Sequence, residues 1–169
     1  HCNPTASFKD RYAAVAISHM RSAGQTRCIA TSSGNTGASL AAYCAAARIS
    51  CHIALVETAP LGKLQQMLAY GAKIMRIRGF GLDIDVTANV FDRLVEIAAA
   101  PDAALQISAF RYSPLGMSGI RSVSFELNEQ VSGTIDHVFC QAGGGGLAMG
   151  TAEGFLQLAE ENSIARAPR

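Results

Sequence analysis

At 169 residues, with 49 % hydrophobic and 16 % charged side chains, the chain can bury one ordinary core or two small lobes, and this excludes a disordered or fibrous class. A net charge of +1 with Arg and Lys scattered leaves no electrostatic footprint for nucleic acid or an anionic membrane, so small ligands are the expected partners. No apolar stretch approaches the length that crosses a bilayer, the five cysteines are odd in number, and the expectation is a soluble, cytoplasmic chain with reduced thiols.

Short apolar or β-branched runs alternate with longer segments of helical period along the whole chain, which is a βαβ grammar. Residues 10–23 place Tyr12, Val15, Ala16 and Met20 at helical spacing before Gly24, and 27–31 then reads as a strand. A helix over 36–47, a strand over 51–56 and a helix over 61–70 that stops at Gly71 come next, with Pro60 suited to the first turn of that helix. The period predicts a strand over 73–77, a helix over 83–100 broken by Pro101, and a strand over 104–108. Pro114 opens a helix expected to run to about 131, a strand over 137–141 leads into a glycine run, and the last helix covers 147–161. Strands apolar on both faces and joined by crossover helices predict an α/β class: doubly wound, mostly parallel sheets with helices on both faces and ligands at the strands' carboxyl ends. Residues 110–118, where Gly and Pro interrupt the period, read as a return between lobes. The expected division is 1–24, a smaller lobe over 25–110, and the start of a larger one over 111–169. Both ends read as cut, so the chain is expected to be part of a longer polypeptide.

Three strings carry chemistry. In Asn3-Pro4-Thr5-Ala6-Ser7-Phe8-Lys9-Asp10-Arg11, Lys9 is one of three lysines, with 63 and 73, against eleven arginines. It stands beside the aromatic Phe8, although an isolated Lys is usually a solvated charge and Asp10 and Arg11 suit a helix start. Ser32-Ser33-Gly34-Asn35-Thr36-Gly37 follows a strand and opens a helix, so its amides and the helix dipole can hold a carboxylate. Taken alone it is better explained as a tight turn, and the strings around it reverse that preference. The run Gly143, Gly144, Gly145, Gly146, Leu147 also links strand to helix. Four glycines are entropically costly to order, and bare amides in a concave nest suit a phosphate, with a flexible turn as the alternative. No Walker or dinucleotide fingerprint is present, and no Gly-x-Ser-x-Gly elbow. The histidines at 1, 19, 52 and 137 lack metal-ligand spacing, so no metal is expected. Cys28, Cys51 and Cys140 lie in apolar runs and should pack as small hydrophobes. Arg76 with Arg78 and the pair Glu160-Glu161 read as solvent-facing charges.

An amine, a carboxylate cradle and a phosphate cradle together are the parts that pyridoxal-phosphate chemistry on amino acids requires. The segment 3–11 resembles the lysine segment of threonine synthases, within the tryptophan-synthase-β-like family of pyridoxal-phosphate enzymes of fold type II. Residues 31–39 resemble that family's substrate-carboxylate loop, Gly62-Lys63 and 69–72 its following helix and turn, and the likeness spans nearly the whole chain. The resemblance implies pyridoxal 5'-phosphate as cofactor, with Lys9 as the catalytic amine bound to it and Asn35 at its phenolic oxygen. Gly143, Gly144, Gly145 and Gly146, with Leu147, would lie at its phosphate, and Ser33, Gly34, Asn35 and Thr36 would hold the substrate carboxylate. The implied activity is a lyase making threonine and phosphate from O-phosphohomoserine and water, with room for a homodimer. The glycine-pure loop is more like serine and threonine dehydratases of the same family, which supply a second reading. A catalytically silent piece of such an enzyme is the third. Residues 110–119, with Arg111, Ser113 and Ser118, match no known substrate motif, and the residue that meets the pyridine nitrogen falls outside the sequence.

Overall fold

The computed structural model describes residues 2–32, 34–59 and 61–169, with nothing said of the Lys63 side chain. Among them are helix α1 (Lys9–Ser22), strand β1 (Arg27–Thr31), α2 (Asn35–Ala47), β2 (Ser50–Val56), α3 (Leu61–Ala69) and β3 (Lys73–Ile77). Helix α4 (Ile84–Ala98), β4 (Ala103–Gln106), α5 (Pro114–Ser118), α6 (Ser122–Gln130) and α7 (Gly146–Glu160) complete the order. The expectation for Pro60 lies outside the described residues.

The four strands form one sheet in the order β3-β2-β1-β4, parallel throughout. Alternation along each strand divides the core in two. Cys28, Ala30, Cys51, Ile53 and Leu55 face one side, where they join Tyr12, Ala16 and Met20 of α1, Leu40 and Ala41 of α2 and Met67 of α3. Ile29, Ala54 and Ala103 face the other, against Leu94 of α4 and Phe80. Helices therefore cover both faces. Helix α4 is anchored by Asp83, whose side chain accepts from the Val86 amide at 2.9 Å and supplies the cap.

Two predicted elements differ from the structure. The helix expected over 114–131 is divided: α5 tightens into a 3-10 turn at Gly119–Arg121 before α6 resumes. Its cause is the close approach of α1. A Cβ on Gly116 would lie 2.8 Å from Tyr12 Cε2, and one on Gly119 would lie 2.2 Å from the Arg11 carbonyl oxygen. Across this contact Arg11 makes a two-pronged ion pair with Glu126, at 2.7 and 2.6 Å, and donates to Ser122 Oγ at 2.8 Å. The strand expected over 137–141 does not form. Its backbone pairs instead with residue 169: Val138 N–H donates to the Arg169 oxygen and Arg169 N–H to the Asp136 oxygen, each at 2.9 Å. A β pattern without a strand ladder beside it has no partner for its polar backbone groups, and Phe139 is left 95 % exposed. Cys28 and Cys51 are buried as expected, whereas Cys140 is only half-buried, because the strand that was to bury it is missing.

Candidate active site

The strand order reverses direction at β1: β2 and β3 lie on one side and β4 on the other. Loops leaving the carboxyl ends of β1 and β4 therefore diverge, and a parallel sheet opens a crevice at such a point. Three of the residues singled out from the sequence, Lys9, Thr36 and Gly146, come together around Ser108, which sits just beyond β4.

Lys9 begins α1. Its Nζ donates to Ser108 Oγ at 3.2 Å and lies 4.9 Å from the centre of the Phe8 ring. Burial pushes the Lys9 ammonium below its usual range, because a charged amine loses hydration that the Phe8 face and one hydroxyl only partly replace. Thr36, on the first turn of α2, brings its Oγ1 to 2.8 Å from the same Ser108 Oγ. The glycine loop arrives from the other side. Its last member, Gly146, is close enough that a Cβ there would stand 3.9 Å from the Ser108 carbonyl oxygen and 2.6 Å from Met117 Cε.

The two loops differ in how their amides are used. Ser32 Oγ accepts from the Gly34 amide at 3.3 Å and the Gly37 amide at 2.9 Å, so these donors serve the turn itself. The amides of Asn35 and Thr36 lie in the first turn of α2, where a helix supplies no acceptor of its own. Gly37 is there for packing, since a Cβ would meet Met67 Cε at 2.7 Å and the Ser32 carbonyl at 3.0 Å, while Gly34 faces open space. Ser33 lies outside the described residues. In the tetraglycine loop, Gly143, Gly144 and Gly145 each have nothing within 4 Å of a built Cβ, and Gly145 caps α7 at φ +75°, a conformation that favours glycine. The loop presents bare backbone ahead of a helix start, and Leu147 behind it packs on the main core.

Sequence reasoning missed three residues that hold this geometry. Ser108 was read only as the end of a strand. Asp10, read as a helix-start charge, is 1 % exposed and folds the preceding segment back: its carboxylate accepts from the Thr5 amide at 2.7 Å and the Thr5 hydroxyl at 2.6 Å. Thr5 Oγ1 in turn meets Ser39 Oγ of α2 at 3.1 Å. Gln106, buried at the end of β4, accepts from Ser113 Oγ at 2.7 Å and Tyr12 OH at 3.3 Å. Ser113 is thereby turned inward, Ser118 donates to the Leu115 carbonyl at 2.7 Å, and Arg111 stacks on Tyr112 at 5.4 Å. A polar residue following a buried strand at a sheet's carboxyl end was the available signal for Ser108; which strand stood next to β1 was not in the sequence pattern.

The profile of a family described as pyridoxal-phosphate dependent enzyme matches residues 1–167. The chain is 32 % identical to the threonine synthase of Mycobacterium leprae, over 99 % of this chain and 44 % of that protein. It is 31 % identical to the 2-amino-4-ketopentanoate thiolase beta subunit of an unknown prokaryotic organism, over 95 % of this chain and 34 % of that protein. Among solved structures, maize serine racemase superposes with a TM-score of 0.77 at 29 % identity, covering 95 % of this chain and 46 % of that one. The chain thus spans less than half the length of the curated relatives it matches.

Proposed function

The chain belongs to the family of pyridoxal-phosphate-dependent enzymes, its cofactor is pyridoxal 5'-phosphate, and from that premise we propose that the protein is a threonine synthase, a carbon–oxygen lyase that turns O-phosphohomoserine and water into threonine and phosphate. The observation that carries this reading is the meeting of Lys9 Nζ, Thr36 Oγ1 and the end of the glycine loop on one residue, Ser108. Threonine synthases at 30–32 % identity over nearly the whole chain support the choice of reaction.

The residues fit the cofactor. Among the described residues nothing lies within 4 Å of a Cβ placed on Gly143, Gly144 or Gly145, bare backbone of the kind that suits a phosphate, and Lys9 offers an amine at Ser108. When bound, the cofactor supplies an electron sink for charge developing on the substrate carbons. Lys9 would hold the cofactor through Nζ and would accept and return protons at that same atom; burial favours the neutral amine that this requires. Asn35 and Thr36 hold the substrate carboxylate at the start of α2, an interaction of roughly 0.3–1 kcal/mol at a surface and up to about 2 when partly buried. Gly34 and Ser33 complete that loop in our assignment, and Asn35 faces the cofactor's phenolic oxygen. Among the described residues no helix is long and apolar enough to cross a membrane, in keeping with a small amino-acid substrate met in water.

A dehydratase is the second reading, favoured by the unbroken glycine run 143–146. The products decide between them. In full-length protein loaded with cofactor, orthophosphate release from O-phosphohomoserine is expected, and Lys9→Ala is expected to abolish both turnover and the borohydride-trapped cofactor on the peptide holding position 9. Ammonia and a keto acid from threonine or serine, without orthophosphate release, would replace the synthase by the dehydratase. Trapped cofactor on another lysine would end the role given to Lys9.

A further inference from the structure

The densest reactive chemistry outside the candidate active site is sulfur. Cys28 of β1 and Cys51 of β2 are register partners and point to the same face of the sheet, and Cys44 of α2 packs over them. The three Sγ atoms all lie within 4.8 Å of one another. The side chains are buried, at 0 %, 4 % and 0 % exposure for Cys28, Cys51 and Cys44. Their surroundings are the apolar cluster that includes Met20, Leu40 and Ile53. Among the described residues no further His, Cys, Asp or Glu joins the three sulfurs: His52 follows Cys51 on the strand and so faces the opposite side, engaging Ser50 Oγ at 3.0 Å, and Tyr12 OH donates to Gln106.

We propose that Cys28, Cys44 and Cys51 form a covalent binding site for a trivalent, thiophilic oxyacid of the arsenous acid class. The number and the charge both select it. Zinc closes its coordination with four ligands, and three thiolates on a monovalent or divalent ion would leave net negative charge in an apolar core, which is strongly disfavoured. A trivalent centre with three thiolates is neutral. The reaction balances without any change of oxidation state: three As–O bonds break, three As–S bonds form, and each thiol proton leaves with a hydroxyl group as water. Hydrogen bonding among the sulfurs and burial push the Cys28 thiol well above its ordinary range, while the hydrogen bonds from Cys28 and Cys44 pull the Cys51 thiol down. Arsenous acid itself is uncharged near neutrality and can enter through local openings of the helix–sheet layer. Binding would draw the sulfurs together and cross-link β1, β2 and α2, an effect independent of the function proposed above.

The test uses the full-length protein, reduced with a phosphine so that no added thiol competes, incubated with arsenite and read by native mass spectrometry. One adduct per chain is expected, with the mass of one arsenic atom less three hydrogens, and X-ray absorption should find three sulfur neighbours and no oxygen. Cys28→Ala, Cys44→Ala and Cys51→Ala should each lower the bound fraction at fixed arsenite by at least about tenfold, because the third thiol acts at high effective concentration. The double change Cys2→Ser, Cys140→Ser should leave it unaltered. The absorption measurement needs no variant, so it stands even where an alanine variant fails to fold. Absence of an adduct, an oxygen neighbour on arsenic, an adduct undiminished in any of the three alanine variants, or one lost with Cys2 and Cys140 would each overturn the assignment.

Discussion

Ser108 shows how one uncharged side chain can organise a site. It stands between Lys9 Nζ at 3.2 Å and Thr36 Oγ1 at 2.8 Å, so the amine and the loop assigned to the carboxylate share a hydrogen-bond partner. A hydroxyl that accepts from an ammonium favours the charged form, and burial opposes it. Removing the hydroxyl leaves desolvation alone, which already pushes Lys9 down. Ser108→Ala is therefore expected to move the pH midpoint of borohydride-trapped cofactor attachment at Lys9 to lower pH. A midpoint that stays put or rises would show that Ser108 does not act on Nζ. Lys9 stands out in the sequence through its motif and its rarity; that its Nζ reaches Ser108 does not. Asp10 does stand in the first turn of α1, but its burial was not legible: the chain before it turns back through Ala6 at φ +60° and delivers the Thr5 amide to it.

Elements were legible where a single periodic stretch meets its partner locally, and less so where another element intrudes. The helices α1 to α4 and the strands β1 to β4 lie within a few residues of their predicted places, since their apolar faces repeat at 3.6 or 2 residues. The division of the 114–131 helix was not legible, because its cause is a backbone carbonyl on α1. That close contact makes a sharp comparison. Gly119→Ala would set a Cβ against the immovable Arg11 carbonyl at 2.2 Å and is expected to cost about 1–3 kcal/mol or more, a fall in Tm of roughly 2–4 °C per kcal/mol for a chain of this size. Gly37→Ala meets mainly the Met67 thioether end at 2.7 and 2.9 Å, which can turn aside, so its loss should be the smaller. Equal melting shifts for the two, by calorimetry, would mean that α1 yields to α5 more readily than the packing implies.

At the scale of the molecule, stability is concentrated in the sheet. β1 is hydrogen-bonded on both edges, to β2 and to β4, and covered on both faces. Residues 139–145 have neither ladder nor helix. Hydrogen exchange on the 169-residue chain is expected to find the slowest amides in β1 and β2 and fast exchange over 139–145, with the Val138 amide slowed beside it by the Arg169 oxygen and the Arg169 amide by the Asp136 oxygen. Uniform protection across 137–141 would mean that this segment has found a strand partner. The sequence by itself determined the fold class, the order of the first four β–α units and the places of the Lys9 segment and the glycine loops along them, because these depend on residue type and local period. Only the tertiary structure decided that Ser108 joins Lys9 to Thr36, that Asp10 turns inward, that three cysteines converge, and that 137–141 stays out of the sheet. Each of these depends on which strand lies beside which, and strand order arises from packing over the whole chain.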